Sequence, residues 1–133
     1  MPNLILYTDG ASRGNPGPAA IGAIIQDESG RVLHKVGRAI GRATNNQAEY
    51  RALILGLEEA ARLGATHLEV RMDSELIVRQ LEGRYRVKDA NLKPLFRQAS
   101  ELLRKFPSVT IRHVPREANQ RADALVNAVL DGK

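Results

Sequence analysis

An α/β fold, with a mixed sheet and helices packed on its faces, is predicted by three observations. β-favouring runs and helical repeats alternate along the whole chain, with no low-complexity tract, repeat or linker between them. Their order is three strands, helix, strand, two helices, strand, helix, which suits neither a sandwich nor a bundle. At 133 residues the chain can bury a core without disulfides or a structural metal, and residues 1–133 are read as a single domain.

Each element has its own warrant. In LILYTDGASRGNPG, Leu4, Ile5, Leu6 and Tyr7 form a strand-like run over residues 3–9. Gly10, Gly14, Asn15, Pro16 and Gly17 then predict a sharp change of direction, which puts Asp9 at a strand end. Strands over 19–27 and 31–40 flank a hairpin turn at Glu28, Ser29 and Gly30, so the first three strands are expected to be antiparallel neighbours. TNNQAEYRALILGLEEAARLG carries apolar residues at helical spacing and closes at Gly64; Gly56 within it implies close packing on the sheet. Residues 66–74 read as a strand ending in Asp73, and SELIVRQLEG as a short helix with Ser74 or Asp73 as its N-cap. NLKPLFRQASELLRKF gathers Leu92, Leu95, Phe96, Ala99, Leu102, Leu103 and Phe106 on one helical face, with Pro94 in the first turn. SVTIRHVP is a fifth strand, and ANQRADALVNAVL a last helix with Ala118, Ala122, Leu125, Val126 and Val129 turned inward.

Composition narrows the chemistry. No cysteine is present, which excludes disulfides, thiolate zinc sites and cysteine nucleophiles and suits a reducing cytoplasm. No apolar run approaches the roughly 20 residues that span a bilayer, and no leader pattern opens the chain. A soluble cytoplasmic protein is expected, with no membrane partner. The net charge of +5 favours polyanionic partners without specifying one.

Four carboxylates stand in unusual places. Glu49 shares a helical stripe with Leu53, Leu57 and Ala60, so it points at the sheet near a helix start. Asp9 and Asp73 end two strands able to lie side by side, and Asp123 lies in the first turns of the last helix. Singly, turn formation accounts for Asp9, helix capping for Asp73, and satisfaction by the helix N-terminus for Glu49. Together they converge, and crowded carboxylates repel unless cations neutralise them. Oxygen ligands without Cys or His suit Mg²⁺ or Mn²⁺, and two such ions about 4 Å apart can activate water and stabilise a leaving oxygen in phosphodiester cleavage.

TDGASRGNPGPAAIGAII, TNNQAEYRALILGLEEA, VRMDSELIVRQL and HVPREANQRADALVNAV, in this order, resemble type 1 ribonuclease H across nearly the whole chain. The resemblance implies a five-stranded mixed sheet in the order 3-2-1-4-5 with the second strand antiparallel to its neighbours. It implies an endonuclease that hydrolyses the RNA strand of RNA/DNA hybrids with two Mg²⁺ ions, Mn²⁺ being a possible substitute, and leaves 5′-phosphate and 3′-hydroxyl ends. Asp9, Glu49, Asp73 and Asp123 become the metal-binding catalytic set. Asp9 is implied to bridge the ions, Glu49 and Asp73 to complete the ion near the leaving oxygen, and Asp123 to hold the other. Gly10, Ser12 and Asn15 in the first loop, with Asn45, Asn46 and Gln47, are implied to approach the RNA strand, where short polar groups can sense the 2′-hydroxyl. Arg42 and Thr44 match a DNA-phosphate pocket, although helix capping also accounts for Thr44 and Asn45.

The chain departs from the family pattern at three points. The loop before the last helix is only PREANQRAD, so Arg116 replaces the usual loop histidine as the candidate catalytic residue, while His113 alternates with Ile111 on a strand. GRYRVKDANLK is too short for a basic helical protrusion, leaving Arg84, Arg86 and Lys88 as a solvated basic loop or a smaller phosphate contact. Asp89 stands where relatives often place Asn. A monomer without an obligate protein partner is expected. The competing functions are a non-catalytic hybrid-binding module, a nuclease acting on DNA, and a ribonuclease whose range includes double-stranded RNA.

Overall fold

The computed structural model describes residues 3–132. In chain order the elements are β1 (Asn3–Ser12), β2 (Gly17–Asp27), β3 (Val32–Ala43), α1 (Asn45–Arg62), β4 (His67–Met72), α2 (Glu75–Leu81), α3 (Lys93–Leu103), β5 (Ser108–His113), a 3₁₀ turn (Arg116–Asn119) and α4 (Gln120–Leu130). One sheet holds all five strands in the order β3-β2-β1-β4-β5, as expected. β2 runs antiparallel to β1 and β3, whereas β4 is parallel to β1 and β5.

Alternation along β1 buries Leu4, Leu6 and Thr8 on the side that meets α1, where Tyr50, Leu53, Leu57, Val70 and Met72 complete the main core. Gly56 is needed at that contact, because a Cβ there would lie 2.8 Å from Leu6 Cδ1 and 3.0 Å from Thr8 Cγ2. α4 crosses the opposite face over β2 and β3. It lies close because Gly22 and Gly37 face each other across that ladder, and Cβ atoms on them would come 3.2 Å from the Ala122 oxygen and 3.0 Å from Val129 Cγ2. Among the described residues, no helix is long and apolar enough to cross a membrane.

Two local expectations are corrected, and one choice between two caps is decided. β1 does not end at Asp9: it continues to Ser12, paired with β2 from Leu4↔Asp27 to Ser12↔Ala19. The reversal comes later, at Gly14 with φ +87° and the cis Asn15–Pro16 peptide, so the Asp-Gly pair is extended backbone. Ser74, and not Asp73, caps α2, its hydroxyl accepting from the Ile77 N–H at 3.4 Å. Ala118 is exposed, because residues 116–119 form the 3₁₀ turn and α4 starts only at Gln120.

Candidate active site

The ladder between β1 and β4 stops at Tyr7↔Arg71, while β1 stays paired with β2 through Asp9↔Gly22 and beyond. The two parallel strands therefore part like a fork just before Asp9 and Asp73. Asp9 lies in a strand on one side and at an opening on the other, and only 6% of its surface is exposed.

α1 brings the second carboxylate. Thr44 caps this helix in a capping box: its hydroxyl accepts from the Gln47 N–H, and Gln47 Oε1 accepts from the Thr44 N–H. The first turn then sits directly on β1, so closely that a Cβ on Gly10 would lie 2.3 Å from the Ala48 carbonyl. Gly10 is thus a steric necessity, and its N–H donates to Glu49 Oε1 at 3.1 Å. Asp73, released from capping by Ser74, accepts instead from Asn119 Nδ2 at 3.2 Å.

Asp9, Glu49 and Asp73 each offer an oxygen within 4.8 Å of the others. Asp123, in the first turn of α4, lies outside that trio, adds its charge to the upward shift of Asp9, and accepts from Asn127 Nδ2 at 3.3 Å. Burial, followed by the charges of Asp73 and Asp123, raises the Asp9 carboxyl to about 7; Arg116 opposes this. Burial also pushes Glu49 well above the usual carboxylate range, with Asp9 and Asp73 adding to it and the Gly10 N–H and Arg116 opposing. Such a cluster resists full ionisation unless positive charge enters it. All-oxygen donors at this spacing fit a hard divalent cation.

The other expected residues fall into three groups. At the loop, the Ser12 N–H donates to Asn45 Oδ1 at 2.8 Å, the Asn45 N–H to Asn15 Oδ1 at 3.0 Å, and the Ser12 hydroxyl to the Gly14 carbonyl at 2.6 Å. These bonds tie the β1–β2 loop to the start of α1, and the amides of Gly10 and Ser12 are already engaged within the protein. Asn46 is half-buried and Arg42 exposed. Arg116 stands exposed on the 3₁₀ turn, with its charge felt at Asp9 and Glu49, while His113 ends β5 opposite Met72. Farther off, Arg84 and Arg86 line an open groove of about 580 Å³ with Lys93, Arg97 and Tyr85, a residue 47% exposed. Lys88 is exposed in the same link, and Asp89 begins a turn by accepting from the Asn91 N–H at 2.7 Å.

Besides Thr8 in β1, two buried polar residues escaped the sequence reading. Asn119 is 1% exposed and donates to the Thr8 carbonyl at 2.9 Å as well as to Asp73. Its signal was its phase: Asn119 stands three and seven residues before Ala122 and Val126, in line with the buried stripe of α4 although it precedes that helix. Gln80, also buried, accepts from the Tyr50 hydroxyl at 2.6 Å and so braces the turn that carries Glu49 against α2.

Comparison with known proteins agrees with this fold. A family described as reverse transcriptase-like matches residues 7–129. A ribonuclease HI of Halobacterium salinarum is 51% identical over 94% of this chain and 63% of its own length. A crystal structure of ribonuclease H1 from that organism superposes with a TM-score of 0.95 at 49% identity, covering 98% of this chain and 99% of the other. A bifunctional protein of Mycobacterium tuberculosis is 47% identical over 96% of this chain, which spans only 35% of that protein. The chain thus covers less than two thirds of these curated relatives. A compost-derived ribonuclease H1, solved in complex with an RNA/DNA hybrid, matches at a TM-score of 0.89 and 49% identity over 94% of each chain. With the sheet order shared and identity near one half along almost all of its length, the chain belongs to the type 1 ribonuclease H family.

Proposed function

We propose that this chain is a metal-dependent endonuclease that hydrolyses the RNA strand of RNA/DNA hybrids and leaves 5′-phosphate and 3′-hydroxyl ends. The observation that carries the reading is the trio of Asp9, Glu49 and Asp73, whose oxygens lie within 4.8 Å of one another at the open fork. A non-catalytic hybrid-binding module would gain nothing from acids facing phosphate. The relatives named as ribonuclease H, one of them solved with an RNA/DNA hybrid, support the same substrate.

Asp9, Glu49, Asp73 and Asp123 would hold two Mg²⁺ ions, for which Mn²⁺ can substitute. Bound there, such ions supply Lewis-acid stabilisation of the scissile phosphate and an activated water. The remaining work belongs to the chain. Gly10 holds Glu49 in place through its N–H, and its lack of a Cβ lets α1 approach. Arg116 supplies positive charge at the mouth of the cluster, where phosphate charge develops. Asn15, Ser12 and Asn45 form one hydrogen-bonded ledge beside the fork, and Asn46 and Gln47 extend it along the first turn of α1. Gln47 gives its oxygen to the cap and keeps its amide N–H₂ as a donor to a 2′-hydroxyl. Arg42 and Thr44, at the junction of β3 and α1, face the DNA strand. We read residues 1–133 as one catalytic domain working as a cytoplasmic monomer, consistent with the absence of cysteine.

The test uses end-labelled RNA/DNA hybrid, double-stranded RNA and duplex DNA with Mg²⁺, Mn²⁺ or chelator. Metal-dependent cuts confined to the RNA of the hybrid, and abolished in Asp73→Asn, are expected. Binding without cleavage on every substrate would favour the non-catalytic module, and equal cleavage of duplex DNA would overturn the substrate assignment.

A further inference from the structure

Where β1 and β4 separate, one side chain fills the gap. Asn119 ends the 3₁₀ turn, is almost fully buried, and directs its amide nitrogen at two acceptors on different strands: the Thr8 carbonyl at 2.9 Å and Asp73 Oδ2 at 3.2 Å. The Thr8 carbonyl immediately precedes Asp9, and Asp73 immediately follows β4. Both partners accept only, so the amide can sit in just one orientation, with its N–H₂ group toward them. Asn119 also stands four residues, about one helical turn, before Asp123. One amide therefore joins the strand of Asp9, the carboxylate of Asp73 and the start of the helix carrying Asp123.

We infer that Asn119 is the positioning residue of the divalent-cation site, setting the spacing of Asp9, Asp73 and Asp123 without itself being a ligand. This rests on the metal-dependent reading above. The physical reason is that repelling carboxylates spread apart unless something other than the cation restrains them, and a donor shared between two strands supplies that restraint. Removing it leaves the Thr8 carbonyl buried without its partner and Asp73 free to turn outward.

Calorimetric Mn²⁺ titration of wild type and Asn119→Ala, at a temperature where circular dichroism shows both folded, tests the inference. Outer ligand supports typically matter 10- to 100-fold, so the variant should bind Mn²⁺ about tenfold more weakly and show a similar fall in kcat, with KM for hybrid unchanged within about twofold. A lower Tm with unchanged Mn²⁺ affinity and kcat would reduce Asn119 to a packing residue and overturn the inference. If Asn119→Ala does not fold, NMR of the wild type replaces it. The Asn119 side-chain amide signals should shift in step with Mg²⁺ saturation, and signals that stay fixed while the site fills would overturn the inference. A wild-type protein that binds neither ion would sink the metal reading itself, and this inference with it.

Discussion

The two edges of β1 are built in opposite ways. Toward β2 the strand is closed: its ladder runs past Asp9 to Ser12↔Ala19, and α4 packs over Gly22. Toward β4 the ladder breaks off at Tyr7↔Arg71, and the carboxylates gather in the opening. The closed edge holds Asp9 in regular extended backbone, while the open edge lets Glu49 and Asp73 reach it. Rigidity and access thus come from the same strand, which is the arrangement that a preorganised site requires.

The contrast can be broken at the open edge first. Asp9→Asn keeps the shape of the side chain and removes the charge shared by the cluster, so hybrid cleavage should fall on the order of 10³-fold or more, read from single-turnover rates. Gly10→Ala comes next. Its Cβ would meet the Ala48 carbonyl at 2.3 Å, backbone that cannot swing aside, and a loss of roughly 3 kcal/mol is expected in urea unfolding.

A pH series sharpens the comparison further. Asp9 rises from an ordinary 3.8 to about 7 in the fold, so the folded protein binds that proton more tightly than the unfolded chain. The associated stability is complete below about pH 4 and is lost as pH climbs through 7. With chelator present, Tm should therefore drop between pH 5 and 8. Mg²⁺ should restore it at pH 8 and change little at pH 5, and Asp9→Asn should flatten the slope. A pH-independent Tm would mean that the open edge is not electrostatically strained. The smallest effect is expected at the closed edge. Gly22→Ala places a Cβ 3.2–3.3 Å from α4 atoms, among them the movable Val126 side chain, and should cost about 1 kcal/mol while leaving kcat within about twofold.

Strand and helix identities were legible because period-two and period-3.6 patterns survive in the chain, and Gly56 announced its close contact with the sheet. The gathering of Asp9, Glu49 and Asp73 was legible too, Glu49 from its helical stripe and Asp73 from its place after β4. Asp9 was found for partly the wrong reason, since an Asp-Gly pair signals a turn and β2 pairing overrides it. Ser74 against Asp73 as cap was undecidable locally, both being good capping residues.

The sequence by itself determined the elements, their order and the acidic, thiol-free chemistry, because periodicity and residue type are properties of short stretches. Only the tertiary structure decided that the β1–β4 ladder stops at Tyr7, that Gly10 must have no side chain, and that Asn119 spans the gap. Each of these depends on distances between segments far apart in the chain, up to 111 residues for Thr8 and Asn119, which no local pattern encodes.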